Sequence, residues 1–151
     1  DAVRVAAALQ QMWRKIYVDI EIIKIDLQIH YKNLQMHQFD TANAAWIADF
    51  NDASNFLDLL RSDGGNNYGK YSNPKFDALM DKAQQEPDGK IRGEELNDAE
   101  QIALDDYAIL PWRFRKTQDL VQPYVRGWIP NLRNFNRTRF LWIDPKIPPE
   151  R

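Results

Sequence analysis

Residues 44–52 read AAWIADFND, and they hold the residue types best suited to capturing a ligand. Trp46 sits three residues ahead of Asp49, and Asn51 and Asp52 follow. An acid with low-dielectric walls suits a cation such as an α-ammonium group. A neighbouring indole can line an apolar pocket or stack on a ligand backbone. From spacing alone a blander reading is favoured, in which Trp46 is a core side chain and Asp49 caps the turn beyond it.

Other constellations offer less. His30 and His37 are the only histidines; they lie seven apart, where a zinc pair wants i,i+4 or a nearby third ligand, so no metal site is expected. Glu94, Glu95, Asp98, Glu100 and Asp105 form an acidic helix face, which is expected to be solvated rather than to hide a catalytic pair. GGNNYG (64–69) lacks the Lys-Ser/Thr ending of a phosphate-binding loop. NRT (136–138) matches a glycosylation acceptor, a pattern common by chance. No Ser-His-Asp or Gly-x-Ser-x-Gly arrangement occurs.

The elements that must position Trp46 and Asp49 follow from periodicity. Helical spacing covers 2–16, with Asp1 at the cap, and again 27–38, ending near Gln38. The alternating VDIEIIKID (18–26) and the small apolar run FDTANAAWIA (39–48) are expected to be strands. Ser54 can cap a short helix, NFLDLLRS. DGGNNYGKYSNP (63–74) is a turn-rich loop, and Pro74 opens a helix over 73–86. Pro87-Asp88-Gly89 breaks it, and a longer helix runs on through Tyr107. AILPWRFRK (108–116) and RTRFLWID (137–144) are further expected strands. The tail from 117 holds five of the eight prolines and a Gly-Trp turn at 127–128. Alternating helices and strands predict an α/β fold with a mixed sheet flanked by helices. In such sheets ligands bind beyond the strand carboxyl ends, which is where Asp49 would stand.

Bulk properties narrow the function classes. The chain has 151 residues, enough for one domain and a real core, and its 44% apolar and 28% charged content suits a folded protein. A net charge of -2 argues against nucleic acid or an anionic membrane as the main partner. The absence of cysteine removes disulfides, thiolate catalysis and Cys-based zinc sites. No apolar run approaches the ~20 residues of a membrane-spanning helix. The opening DAVRVAAALQQMWRKI is already helical and lacks an initiator Met, which suggests a piece of a longer protein.

Four patterns occur in order: AAWIADFNDASNFLDLL, NNYGKYSNPKFDALMDKA, AEQIALDDYAILPWRF and DLVQPYVRGW. Together they resemble the C-terminal portion of the periplasmic oligopeptide/dipeptide-binding proteins, the large (family 5) solute-binding components of ABC importers. The likeness runs over nearly the whole chain. It implies a periplasmic-binding-protein-like lobe: residues 1–116 would be part of the second lobe, and 117–151 would be strands returning to the first. It also implies a non-catalytic role, with no cofactor, in which the closed cleft delivers peptide to ABC permease subunits in the membrane. The location implied is the periplasm, or a lipid anchor outside the membrane in a Gram-positive host.

Residue by residue, the resemblance makes Asp49 the partner of the peptide's N-terminal ammonium and Trp46 a wall of the side-chain pocket, with Asn43 and Ala45 on the same run. The chain also departs from the pattern. Asn43 stands where some members carry a basic residue, Leu27 where they carry an aromatic, and Trp112–Arg115 where they carry tyrosines. Arg113 or Arg115 could then clamp a ligand carboxylate; an equal alternative puts both on the solvent face of an edge strand. Two rival readings stand beside the leading one. One is a carboxylate-dependent hydrolase of amino-terminated substrates, needing Asp52 or Asp40 as a second acid. The other is a stand-alone piece that self-associates through exposed strands.

Overall fold

The computed structural model describes residues 2–114, 118–131 and 135–147. Asp1, expected at the first helix cap, and Arg115 lie outside them. The described chain falls into two compact units, 1–42 and 43–151.

In the first unit, α1 (Ala2–Arg14) and α2 (Leu27–Gln35) match the helical spacing of the sequence. Asp26 caps α2 by accepting from the Gln28 amide at 2.8 Å. Leu34 is the buried residue of α2. Both helices end without glycine. Tyr17 and His37 take the left-handed conformation at φ 63° and 55°. The amides one residue on, Val18 and Gln38, reach back to the carbonyls of Trp13 and Asn33. This is the Schellman closure, which glycine normally supplies at no steric cost.

The second unit is built on a helical hairpin, α4 (Pro74–Gln85) and α5 (Gly89–Asp105). Its start is written in YSNP. The Asn73 side chain accepts from the amides of Lys75 and Phe76, and Pro74 takes the first helical position, where no N–H is needed. Asp88 caps α5 in the same way. Phe76, Met80 and Ala83 of α4 face Leu96, Ala99 and Ala103 of α5. Leu57 and Leu60 close this core from α3 (Ser54–Leu57) and the 3₁₀ turn Asp58–Leu60. The far end is clasped: Asp106, just past α5, accepts from the Tyr71 hydroxyl at 2.7 Å and from Asn73 Nδ2 at 2.6 Å. Those two bonds hold the Asp106 carboxyl below the usual carboxylate range, and burial beside it pushes the Tyr71 hydroxyl up to about 12.

Two expectations from the sequence need correction. The acidic face of α5 is not all solvated: Glu95 is 5% exposed and meets Lys82 of α4 at 2.8 Å. A helix of this length turns one such position inward, and the long, exposed Lys82 reaches over to neutralise it. The second correction concerns strands. Among the described residues only β1 (Val125–Arg126) and β2 (Trp142–Ile143) pair, antiparallel, with Val125 opposite Ile143. The segments 18–26, 39–48 and 108–114 carry strand-like patterns but form no ladder. A strand is completed only by a neighbour that takes its amides and carbonyls, and alternation of side chains cannot supply one.

The Gly-Trp turn has a clear cause. Gly127 sits at φ 84°, and a Cβ there would lie 2.0 Å from the Phe140 carbonyl oxygen. Only glycine lets β1 leave the ladder so close to the chain that enters β2.

Candidate functional site

The site begins at Asp52. Its carboxylate accepts from the Ser54 amide at 2.9 Å, and its carbonyl accepts from the Asn55 amide at 3.2 Å. Asp52, rather than Ser54, therefore starts α3. Ser54 is already inside the helix and has no capping role. The turn so formed carries Asn55 inward beside Leu57, where it is 7% exposed.

Asn55 is the residue that sequence reasoning missed. Its Oδ1 accepts twice: from the Trp46 indole Nε1 at 2.8 Å and from the Asp49 amide at 3.2 Å. One buried oxygen thus fixes the indole and the backbone that bears the carboxylate. Trp46 remains 38% exposed, and Asp49 is exposed too. Trp46 is therefore not the fully buried core side chain of the blander reading, and its N–H is already satisfied internally. What it offers a ligand is ring surface. Among the described residues no cation lies within ion-pair distance of the Asp49 carboxylate.

Arg92 of α5 secures the same turn. Its guanidinium grips Asp52 in a two-pronged pair at 2.6 and 2.8 Å. That grip, opposed by burial and helped by Ser54, holds the Asp52 carboxyl far below the usual range. Asp52 is consequently a fixed anion and cannot donate a proton near neutrality. Asp40, the other acid a hydrolase would require, lies in the other compact unit.

A stability prediction follows from Asp52. Its folded pKa is depressed below the unfolded one, so its contribution is complete above the unfolded carboxylate range, by about pH 5. It is lost as pH falls towards the folded value. Comparing thermal unfolding of Asp52→Asn with the parent protein should show the largest difference near neutrality and a shrinking one below about pH 4. A gap that widens on acidification would contradict the pairing.

The remaining expected site residues are dispersed. Asn43 and Ala45 lie exposed on the run that leads to Trp46. Arg113 is on coil, not on an edge strand, and its guanidinium stacks 4.4 Å above the Trp112 ring. Arg115 falls outside the described residues. Leu27 opens α2, within the other compact unit. The histidines form no cluster: among the described residues no group of three or more His, Cys, Asp or Glu could hold a metal.

No family model matches the chain. Individual proteins do. The oligopeptide-binding protein OppA of Bacillus subtilis is 35% identical over 113 residues, covering 74% of this chain and 21% of OppA. Two solved structures are similar along nearly the whole length. The murein tripeptide-binding protein MppA of Escherichia coli has a TM-score of 0.88 at 28% identity, covering 94% of this chain and 28% of MppA. OppA of Haemophilus influenzae, solved with the peptide RPPGFSPFR, has a TM-score of 0.88 at 29% identity, covering 95% and 29%. The 151 residues thus span between a fifth and a third of these relatives. The backbone follows the α/β periplasmic-binding-protein fold even where its strand-like segments find no partner among the described residues. By sequence and by backbone alike, the chain belongs, as a segment, to the family of OppA- and MppA-like solute-binding proteins.

Proposed function

We propose that the protein carrying this segment is a non-catalytic, periplasmic solute-binding protein that captures peptides and hands them to an ABC permease. The segment supplies the part of the cleft that receives the peptide's free amino end. One observation carries this reading: the backbone amide of Asp49, whose carboxylate is exposed, and the Trp46 indole N–H both donate to a single buried oxygen, that of Asn55. An anion without a described cation beside it, next to an apolar wall with no donor to spare, fits an amino-terminal ammonium group whose residue rests its side chain on that wall. Relatives named for peptide binding support the class of ligand.

In this reading 1–116 belong to the second lobe, and 117–151 return to the first. The rest of the longer protein then provides strands for the unpaired segments 18–26, 39–48 and 108–114. Closure of the lobes desolvates the ammonium–Asp49 pair and strengthens it. Arg113 has no described carboxylate partner and, with Arg115, is the proposed contact for the ligand's carboxyl end. Asn43 and Ala45 line the approach to Trp46. A periplasmic location fits the relatives' names, and in a Gram-positive host a lipid anchor would serve the same purpose.

Hydrolysis is disfavoured by Asp52, whose pairing with Arg92 removes the nearest second acid from proton transfer. Native mass spectrometry of the full-length protein as purified tests the proposal. A retained ligand with a free amine, released intact on denaturation, is expected. Retention only of compounds without an amine, or turnover of an added peptide library into shorter products, would overturn it.

A further inference from the structure

We infer that Asn55 is the positioning residue that gives the site its preference for a free amino terminus; this rests on the assignment of Asp49 to an ammonium group. The side chain does not face ligand, being 7% exposed. It acts through two others. Both of the described bonds made by its Oδ1 fall on the ligand-facing run, one on the Trp46 indole and one on the Asp49 amide. A carbonyl-type oxygen has two lone pairs, so these two bonds use its accepting capacity in full. The spacing between the aromatic wall and the backbone that bears the anion is therefore set by one atom.

That atom is itself well anchored. Asn55 lies in the first turn of α3, whose Leu57 is in the hairpin core. The turn before it is clamped to α5 by the Arg92–Asp52 pair. Outside these bonds the run 42–48 has no regular backbone pairing. Through Asn55 Oδ1 the backbone of Asp49 is held in register with the Trp46 indole. Without that oxygen the carboxylate would remain present but would no longer be aimed, and geometry of this kind must be held within about 0.5 Å to be effective.

The test measures affinity of the full-length protein for one peptide in free and N-acetylated forms, by calorimetry. The parent should prefer the free amine. Asn55→Leu, of similar size but with no acceptor, should shrink that preference about tenfold or more, the effect of losing hydrogen bonds of ordinary net strength. Asn55→Asp keeps the accepting oxygen and should restore most of it. Thermal unfolding of each variant separates a folding defect from a binding one. If the parent discriminates and Asn55→Leu discriminates equally well, the positioning role is wrong while the ammonium assignment stands. If the parent itself does not discriminate, both fall. Loss in Asn55→Leu with no rescue by Asn55→Asp also counts against the accepting oxygen as the cause.

Discussion

Replacing Asp49 by alanine in the full-length protein should reduce peptide affinity by a factor of roughly 30 to several thousand. The estimate comes from truncating one partner of a desolvated, hydrogen-bonded charge pair, which costs about 2–5 kcal/mol. Much of that cost is the ammonium left buried without its counter-ion, not the net strength of the pair. N-acetylating the peptide removes the other partner and should do comparable damage to the parent. The two changes should not add, because each deletes the same contact. Calorimetry over this two-by-two set checks the prediction. Independent, additive losses would mean that Asp49 and the peptide's amino end act at different places. Little change in either would remove Asp49 from the site.

The second large effect concerns Phe76. It is 0% exposed and packs edge-on against Tyr71, with ring centroids 5.6 Å apart. Met80, Ala83 and the inward face of α5 belong to the same core. Phe76→Ala should destabilise this region by about 3–5 kcal/mol, the range for emptying an aromatic site in a close-packed core. The surroundings leave little scope for collapse, because the Tyr71 hydroxyl is tied to Asp106 and Asn73 is tied to it as well. A large fall in melting temperature or denaturant midpoint is expected. A loss below about 1 kcal/mol would indicate that the site refills, contrary to the packing described. Binding should suffer too, because α3 and its Asn55 rest on the same core.

The helices were largely legible in the sequence, because their causes are local. Asn73 with Pro74, and Asp88 after Pro87, are start and stop signals that need nothing beyond a few neighbouring residues. The ends of α1 and α2 were harder to place, since Tyr17 and His37 occupy positions where glycine would have advertised the stop. Strands were less legible still. VDIEIIKID has the alternation of a strand, yet pairing depends on a second segment, and none in the described chain takes that part.

The site divides in the same manner. Trp46 and Asp49 stand out as an indole and an acid at the end of an apolar run, yet spacing alone favours a core side chain and a turn cap, and only the family resemblance makes them candidate ligand contacts. Asn55 was invisible, since an asparagine in a short polar stretch usually marks a turn. Its importance comes from where α3 buries it, which is a tertiary property. A faint signal did exist: Asp52 three residues before Asn55, with Leu57 and Leu60 following, predicts a capped turn that points one polar side chain inward. Glu95 was misjudged for a related reason, as a run of acids on a helix conceals which one the packing turns inward.

The link between α4 and α5 is only Glu86, Pro87 and Asp88. Contacts across so short a connection close quickly, since little chain entropy is lost in bringing the two helices together. The hairpin is thus the natural first part of its unit to form when the chain folds, ahead of any sheet that waits for distant strands. Its core, once formed, is the platform against which α3 docks, and α3 delivers Asn55. The order of assembly therefore runs from scaffold to candidate site: the run that carries Trp46 and Asp49 gains its shape last, on a surface that is already rigid.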